Sequence, residues 1–311
     1  MRDKILIIKL GALGDLVIST PFIEAIKEKH KQDKIVILTR KKYAFFFKNH
    51  KNISLMTIND PTLKTSLSIV IELRRTLWSK IYDLQGNNRS RALTFFSRAN
   101  CKIGNHKFPN TIYPSEKWKK QIHIFYRMKT LLEEVGLKNI KEKPVVTYNK
   151  IELEKVKQWI NKKVGSQKFV ILHAGSSHRR KDKRWPFFKE LAKKLEKIGY
   201  KTLWIGGSED QEINRLMSKN IGIDATNAFN IHELACLGNF AQFAVTNDSA
   251  PMHVLSSCNI PVIGLFGPTD KKLHHAIGNL PLAISTKKSN ENMATISIAE
   301  VMGKLQRENL I

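Results

Sequence analysis

Short apolar runs alternate with helix-like patterns along almost the whole chain, and this alternation limits the fold more than any other feature. In the first half the apolar runs fall at 5–10, 35–38, 53–58 and 81–84, with helical patterns between them at 21–29 and 67–79. Strands that alternate with helices form parallel sheets, because each helix makes the crossover to the next strand. The first half is therefore predicted to be a parallel α/β unit.

A second series of the same kind follows a charged segment. Residues 138–150 are rich in lysine and contain Pro144, and 151–161 then has helical spacing. Strand-like and helix-like patterns alternate again at 169–173, 187–198, 202–205, 211–218, 231–237, 243–246 and 261–266. A chain of 311 residues has the length of two ordinary domains. We predict two α/β domains, 1–150 and 151–311.

The net charge of +26 is unevenly distributed. Residues 1–150 contain 30 Lys and Arg against 12 Asp and Glu, or +18, which leaves 23 against 15, or +8, for 151–311. Nucleic acid, an anionic membrane surface or a phosphorylated glycolipid would each account for this bias, and so would ordinary solvated lysines. Composition alone does not choose among them.

The cysteines and the first residues indicate a cytoplasmic protein. Cys101, Cys236 and Cys258 are scattered and odd in number, which argues against a disulfide framework or a zinc site. The apolar start at 1–10 is short, is interrupted by Lys4 and Lys9, and has no cleavage site, so a buried strand is expected there rather than a signal peptide. No apolar run approaches the length that a membrane span needs.

A glycine loop follows the first apolar run. Gly11, Gly14 and Asp15 have the spacing GxxGD rather than GxGxxG, and the second run leads into the basic segment 39–42 instead of an acidic residue. Both features disfavour a dinucleotide-binding dehydrogenase. Asp15 would lie at the mouth of the sheet, where it is either a helix cap or a general base.

Loops in the second half are suited to a nucleotide. Ser176 and Ser177 can bind phosphate oxygens, and Lys183 can supply a positive charge. Asp248 and Ser249 are good helix N-caps, and Pro251 suits the first turn, so the free N–H groups there could face a phosphate. The carboxylate at Glu209 could accept hydrogen bonds from ribose hydroxyls or cap the next helix. Loops of this kind after successive strands predict a nucleotide site.

At these residues the chain resembles the family 9 glycosyltransferases, the ADP-heptose:lipopolysaccharide heptosyltransferases. The resemblance covers nearly the whole chain and is carried by the order and spacing of its motifs. These are Ile7 to Asp15, Asp83-Leu84-Gln85-Gly86 with Arg89-Ser90, Lys102-Ile103-Gly104, Lys183-Arg184-Trp185-Pro186, Gly206-Gly207-Ser208-Glu209, Asn247-Asp248-Ser249 through His253, and Leu265 to Asp270.

The resemblance implies a GT-B architecture, in which two Rossmann-like parallel-sheet domains face each other across a cleft. It implies an inverting, metal-independent transfer, with the acceptor on 1–150 and the nucleotide-sugar donor on 151–311. Asp15 matches the general base of the family, Lys183, with Ser176 and Ser177, its diphosphate contacts, and Glu209 its ribose contact. The loop and helix start around the donor match Asp248, Ser249, Ala250 and His253.

Two departures from the family pattern bear on this carry-over. The family usually has glycine where Ala250 stands, so the added methyl group could move the donor slightly outward. The loop 178–182 is longer and more basic than the resemblance leads us to expect, which makes the match of Ser176 and Ser177 weaker than that of Lys183.

The sequence thus predicts a cytoplasmic glycosyltransferase, peripheral to the inner face of the inner membrane, that moves heptose from ADP-heptose to an acidic lipopolysaccharide-core glycolipid. Gly11, Gly14, Arg89 and Arg91 are the predicted acceptor contacts, although a helix-surface role fits the two arginines equally well. Neither a cofactor nor a metal is expected: the resemblance implies metal independence, and the absence of an Asp-x-Asp motif agrees with it. Nucleic acid is not an expected partner. Two alternatives stay open: a transferase or epimerase that uses another nucleotide sugar, and a nonenzymatic binder of nucleic acid or anionic membrane.

Overall fold

The computed structural model of the chain describes residues 2–59, 63–112, 122–288 and 291–311, with the backbone alone at 63–66. The chain divides into two compact units, Met1–Glu142 and Lys143–Ile311. The division lies inside the charged segment 138–150 that separates the two series of patterns in the sequence.

The first unit is a parallel sheet with helical crossovers. Its elements are β1 (Lys4–Ile8), α1 (Leu13–Lys29), β2 (Lys34–Arg40), β3 (Ile53–Ile58), α2 (Leu63–Arg75), β4 (Leu77–Asp83), α3 (Asn88–Phe96), β5 (Arg98–Ile103), β6 (Thr111–Ile112) and α4 (Ile124–Glu133). The strand order is β3-β2-β1-β4-β5-β6, and every pairing is parallel. A short 3-10 helix, Lys41–Phe47, follows β2.

β1 occupies the centre of this sheet because its apolar run is covered on both faces. Its residues 5–8 are fully buried, as parallel strands between helical layers require. Four residues separate the end of β1 from the start of α1, and α1, with 17 residues, buries Leu16, Val17, Phe22 and Ile23. No helix in the described part of the chain combines the length and the hydrophobicity that crossing a membrane would need.

The second unit repeats this architecture. Its elements are α5 (Lys150–Lys163), β7 (Phe169–His173), α6 (Phe188–Lys197), β8 (Lys201–Gly206), α7 (Gln211–Met217), β9 (Ile223–Thr226), α8 (Ile231–Gly238), β10 (Ala244–Asn247), α9 (Ala250–Leu255), β11 (Val262–Phe266), α10 (Lys271–His274), β12 (Ile284–Ser285) and α11 (Ile298–Arg307). The strand order is β12-β11-β10-β7-β8-β9, again entirely parallel.

Trp185 anchors the core of the second unit under the loop that leads into α6. Its indole is fully buried and packs edge-on against Phe188, with ring centroids 5.1 Å apart. The indole Nε1 donates a hydrogen bond to the Ile296 carbonyl at 2.8 Å, so the polar edge of this large side chain is satisfied. The loop that carries Lys183 is therefore fixed to the core two residues after the lysine.

The two parallel α/β sheets predicted from the sequence are confirmed, but some boundaries differ. The helical pattern assigned to 67–79 is wrong at its end, because α2 stops at Arg75 and β4 begins at Leu77. β5 has no apolar run to reveal it, since Arg98 and Asn100 point outward and only its last two residues are buried. β5 alternates polar and small or apolar residues instead, so a search for continuous apolar runs passes over it.

Candidate functional site

Four loops meet at the carboxyl edge of the second sheet. They follow β7 (174–177), β8 (207–210), β10 (248–249) and β11 (267–270), and these strands are neighbours in the order β11-β10-β7-β8. Parallel strands all end at the same edge, where open α/β folds bind their ligands. The fold thereby brings together residues that the sequence predicted, in separate segments, as contacts for phosphate and ribose.

Asn247, the last residue of β10, joins these loops through its buried side-chain amide. The Asn247 Oδ1 accepts a hydrogen bond from the Trp185 backbone N–H at 3.1 Å. The Nδ2 donates to the carbonyls of Ala174 at 2.9 Å and Gly175 at 3.1 Å. One side chain thus satisfies three backbone groups of two loops and sets the distance between them.

Lys183 and Asp248 form the shortest ion pair of this edge. Lys183 Nζ donates to Asp248 Oδ2 at 2.6 Å, and the Thr269 hydroxyl donates to the same oxygen at 2.8 Å. Both charged side chains are mostly buried, at 15% and 6% exposure. Burial alone would raise the pKa of Asp248, but the Lys183 charge and hydrogen bond hold that pKa below its usual value. The ammonium is consequently fixed at the junction of the loops after β7, β10 and β11.

A second polar chain runs through the same edge from Asp210 through His173 to Ser249. His173 Nε2 lies 3.4 Å from Asp210 Oδ2, and His173 Nδ1 lies 3.0 Å from Ser249 Oγ. The Gly207 N–H also donates to Asp210 Oδ2 at 3.0 Å. Burial would raise the pKa of Asp210, but the hydrogen bond and charge of His173 lower it below its usual value.

Two glycines make room for the Asp210 side chain. A Cβ at Gly175 would collide with the Asp210 carboxylate, and a Cβ at Gly206 would meet the Asp210 Cβ at 2.6 Å. Glycine is needed at both positions because the carboxylate packs directly on the backbone of the loops after β7 and β8.

The remaining residues predicted for the donor lie at this edge with different exposures. Ser176 is buried, and its hydroxyl accepts a hydrogen bond from Arg184 Nε at 3.1 Å, whereas Ser177 is exposed. Glu209 is also exposed and accepts a hydrogen bond from the His178 N–H at 3.1 Å. Ala250 and His253 lie in α9, where Ala250 is half-buried and His253 is buried.

The expected capping roles differ from what the structure shows. Ser249 is the N-cap residue of α9, with Pro251 in the first turn, but its side chain makes no capping hydrogen bond and turns to His173 instead. Glu209 contacts the loop at His178 rather than capping α7. Ala12, not Asp15, is the N-cap residue of α1, and Asp15 lies inside the first turn.

In the first unit, Asp15 lies half-buried where β1 passes into α1. The ring of Tyr43 leaves no room for a Cβ at Gly11, whose φ of +114° already favours glycine. Beneath this loop, Lys9 is fully buried and donates to the Leu84 carbonyl at 3.1 Å. Burial lowers the pKa of Lys9 against the attraction of the Asp15 and Asp83 carboxylates.

Asp83 organises the loop after β4, where Arg89 and Arg91 follow. Asp83 is fully buried; its Oδ1 accepts from the N–H groups of Gln85 and Gly86, both at 3.0 Å, and its Oδ2 from the Ser90 hydroxyl at 2.8 Å. Burial raises the pKa of Asp83 in spite of these hydrogen bonds. Both arginines lie in the first turns of α3, with Arg89 half-buried and Arg91 exposed.

Sequence reasoning missed several residues that build this edge. Asn247, Arg184 and Thr269 were seen only as parts of motifs, and His173 and Asp210 had no role. Three of the five, Asn247, Arg184 and Asp210, are adjacent in sequence to a predicted site residue, which is a signal that could have directed attention to them. Their contacts join residues far apart in the chain, so their roles could not be read from spacing.

Comparison with known proteins identifies the family. The sequence model of glycosyltransferase family 9 (heptosyltransferase) matches residues 67–305, most of the chain. This chain belongs to glycosyltransferase family 9. A lipopolysaccharide heptosyltransferase 1 of Campylobacter coli is 24% identical over 314 residues, covering 93% of this chain and 91% of the relative.

Solved structures agree with this family assignment at the level of the fold. A family 9 glycosyl transferase from Veillonella parvula DSM 2008 has a TM-score of 0.82 at 22% identity, covering 99% of this chain and 97% of that one. An E. coli heptosyltransferase WaaC, solved with ADP, has a TM-score of 0.74 at 15% identity, covering 98% and 99%. The family 9 chain therefore has the two Rossmann-like sheets of the GT-B class and is a glycosyltransferase. Its relatives support heptosyl transfer in lipopolysaccharide-core biosynthesis.

Loss of the Asn247 amide should destabilise the second unit. Asn247→Ala leaves the Trp185 N–H and two carbonyls without this buried partner, so we expect the free energy of unfolding to fall by about 2–5 kcal/mol. Asn247→Asp should not restore stability, because its second oxygen would face the Ala174 and Gly175 carbonyls. Urea unfolding followed by tryptophan fluorescence measures both. Asn239→Ala is the matched control: it removes an exposed amide that donates to the Ala235 carbonyl and the Tyr148 hydroxyl and accepts from the Asn259 N–H. Equal stability of Asn247→Ala and this control would refute the role of Asn247.

Proposed function

We propose that this family 9 glycosyltransferase moves a heptose from ADP-heptose to an acidic glycolipid of the lipopolysaccharide core, with inversion at the anomeric carbon and without a metal ion. The observation that carries the proposal is the position of Lys183. Its ammonium is held by Asp248 at the carboxyl edge of the second sheet, beside the start of α9. A fixed, desolvated positive charge at this place suits a diphosphate leaving group.

The donor is assigned to the second unit. Ser176, Ser177 and Lys183 would contact the diphosphate, and Glu209, exposed on the loop after β8, would accept hydrogen bonds from the ribose. The loop and helix start at Asp248, Ser249, Ala250 and His253 would close around the nucleotide sugar. Family membership and the heptosyltransferase relatives support ADP-heptose as the donor.

The acceptor is assigned to the first unit, with Asp15 as general base. Asp15 would remove the proton of the acceptor hydroxyl while the hydroxyl oxygen attacks the anomeric carbon of the heptose. The bond from that carbon to the diphosphate oxygen breaks in the same displacement, so the configuration inverts and the electron pair leaves on ADP. The half-buried place of Asp15 in the first turn of α1 supports this role.

Lys183 and the start of α9 at Ser249 would stabilise the negative charge that develops on the departing diphosphate. Asp248 keeps the ammonium oriented, and Thr269 satisfies the same carboxylate oxygen. This arrangement supplies the charge that a divalent cation supplies in other glycosyltransferases, which supports metal independence.

Positive charge on the first unit supports an acidic acceptor and a peripheral position at the cytoplasmic face of the membrane. Residues 1–150 carry the net charge of +18 counted above. A cavity of about 280 Å³ lies where β2 and β3 end, lined by Arg40, Lys41, Lys42, Ile58 and Asn59. The same 3-10 helix that carries the two lysines places Tyr43 against Gly11, next to the loop of Asp15. Gly11, Gly14, Arg89 and Arg91 would contact the acceptor beside it.

Family membership decides one of the alternatives that the sequence left open, because a glycosyltransferase is an enzyme and not merely a nonenzymatic binder. The use of a different nucleotide sugar, in transfer or epimerisation, is the other alternative. Calorimetry with ADP, UDP and GDP separates it from the proposal, since preference for UDP or GDP would overturn ADP-heptose as donor.

Asp15 and Lys183 should fail differently when substituted. Asp15→Asn removes the base while keeping its size, so single-turnover rates should fall about 100- to 10,000-fold with ADP affinity nearly unchanged. Lys183→Ala leaves the Asp248 carboxylate facing the diphosphate, so ADP affinity should fall roughly 10- to 100-fold and turnover should fall with it. Calorimetry and single-turnover assays measure the two effects.

The matched control for Lys183 is Lys155→Ala, which breaks an ion pair with the buried Glu233 of similar length, 2.7 Å, outside the site. It should change neither readout. Near-normal turnover in Asp15→Asn would remove Asp15 from the chemistry, and normal ADP affinity in Lys183→Ala would remove Lys183 from the donor site.

Transfer should survive chelation. Because Lys183 supplies the positive charge at the diphosphate, activity in excess EDTA should equal activity in magnesium. Initial rates with and without chelator measure this. Full loss of activity in EDTA that returns with magnesium or manganese would overturn the metal-independent mechanism.

The cavity lysines should contribute to binding the acidic acceptor. Lys41→Gln/Lys42→Gln in the full chain should weaken binding to zwitterionic vesicles carrying an acidic core glycolipid on the order of tenfold at low salt, and less at high salt. The control is Lys4→Gln/Lys34→Gln, which removes two exposed lysines at the opposite edge of the same sheet. Equal losses in vesicle sedimentation would show that only overall charge matters.

A further inference from the structure

His173 ends β7, at the carboxyl edge of the second sheet, to which the donor is assigned. The resemblance gives this histidine no role. We propose that His173 is a positioning residue for the Ser249 hydroxyl, and that the proton on its Nδ1 decides whether this hydroxyl can donate a hydrogen bond to a diphosphate. The inference rests on the proposed assignment of the donor to the second unit. It adds a residue and a coupled proton to that assignment.

The geometry fixes both nitrogens of the His173 ring. The residue ends β7 and is 2% exposed, so water does not compete for either nitrogen. Ser249 Oγ is 3.0 Å from Nδ1, and Asp210 Oδ2 is 3.4 Å from Nε2. Asp210 in turn is held by the Gly207 N–H and by the space that Gly175 and Gly206 leave for it. The ring therefore has no freedom to serve Ser249 in another orientation.

The hydrogen bonds limit where protons can lie. Asp210 is ionised at neutral pH, because its pKa lies below the usual carboxylate value, so it accepts and the Nε2 carries a hydrogen. If Nδ1 has no proton, it can only accept, and the Ser249 hydroxyl donates its hydrogen to Nδ1 at 3.0 Å, the shorter of its two contacts. If Nδ1 is protonated, it donates to Ser249 Oγ, and the hydroxyl hydrogen is released.

An anionic diphosphate oxygen can only accept a hydrogen bond. Without a ligand, a hydroxyl released by Nδ1 can donate to the Asn247 carbonyl, which lies 3.2 Å from Ser249 Oγ. With a diphosphate bound beside Lys183 and Ser249, as in the proposed donor assignment, the same hydrogen can turn to the ligand. Diphosphate binding thus favours the state in which Nδ1 is protonated, and the protein takes up a proton as the donor binds.

The charged groups around His173 come from several elements. Asp210, on the loop after β8, faces Nε2, and Arg184 acts on that carboxylate. Asp248 follows β10, next to Ser249, and is paired with Lys183. The charge of His253 in α9 also acts on the Asp248 carboxylate. Of these groups, the Asp210 carboxylate contacts the ring directly, at 3.4 Å from Nε2.

The test measures proton uptake on binding of ADP-heptose without acceptor, because its diphosphate diester does not itself titrate near neutral pH. Calorimetry of the full chain in two buffers of different ionisation enthalpy gives the number of protons taken up. We expect uptake in the unsubstituted protein and affinity that falls as pH rises. His173→Asn can still donate to Ser249 but cannot titrate, so uptake should vanish while affinity falls only about 2- to 10-fold.

Ser249→Ala provides a second variant with a small, half-buried change. It should abolish proton uptake as well, and His173→Asn/Ser249→Ala should bind ADP-heptose no more weakly than Ser249→Ala alone, because His173 acts through Ser249. His232→Asn is the matched control: it removes another buried histidine of the same unit, whose Nδ1 lies 2.6 Å from the Thr147 carbonyl. This control should keep uptake unchanged.

Two outcomes would overturn the inference while leaving the proposed function intact. One is proton uptake that is absent in the unsubstituted protein or undiminished in His173→Asn. The other is additive loss of affinity in the double variant, which would show that His173 affects binding independently of Ser249. If the unsubstituted protein did not bind ADP-heptose, the proposed donor assignment would be wrong, and this inference would be wrong with it.

Discussion

The carboxyl edge of the second sheet depends on the hydrogen bonds of one amide. Asn247 is the last residue of β10, yet its side chain accepts from the backbone of Trp185 and donates to the loop after β7. Since Trp185 is itself anchored in the core, the amide transmits the rigidity of the core to the Lys183 loop. A loop with 3-10 turns and five basic residues between 178 and 183 could otherwise adopt many conformations. Asn247 therefore contributes to the site by fixing where other residues stand.

Each unit has a lysine near carboxylates at the carboxyl edge of its sheet, but the environments of the two lysines differ. Lys183 keeps partial access to solvent and makes a direct ion pair with Asp248. Lys9 is fully buried, bonds to a backbone carbonyl, and is influenced by Asp15 and Asp83 from a greater distance. The first arrangement leaves a charge partly exposed at the carboxyl edge of the second sheet, whereas the second places a lysine beneath the loop of Asp15. Removal of Asp248 would change the electrostatics of the Lys183 loop, and removal of Asp15 or Asp83 would change those around Lys9.

The sequence was sufficient for the sheets because their signal is local. The period of apolar residues identifies a strand or a helix within a few residues, and the alternation of the two then requires parallel pairing. The loops at 176–183, 206–209 and 247–253 were also predicted, since glycine, serine and lysine have recognisable uses there. What remained hidden were contacts between distant residues, such as His173 with Ser249 and Asn247 with Trp185. Spacing shows that a histidine follows a strand; only the sheet order shows what it faces.

The paired glycines around Asp210 have a consequence for how this edge can change over generations of substitution. Gly175 and Gly206 belong to different loops, but both contact the same side chain. A Cβ at Gly175 would meet the Asp210 carboxylate, so a smaller residue at 210 would make room for it, whereas a Cβ at Gly206 would still meet the Cβ of any residue at 210 other than glycine. The residues allowed at 175, 206 and 210 therefore depend on one another, although these positions are separated by up to 35 residues.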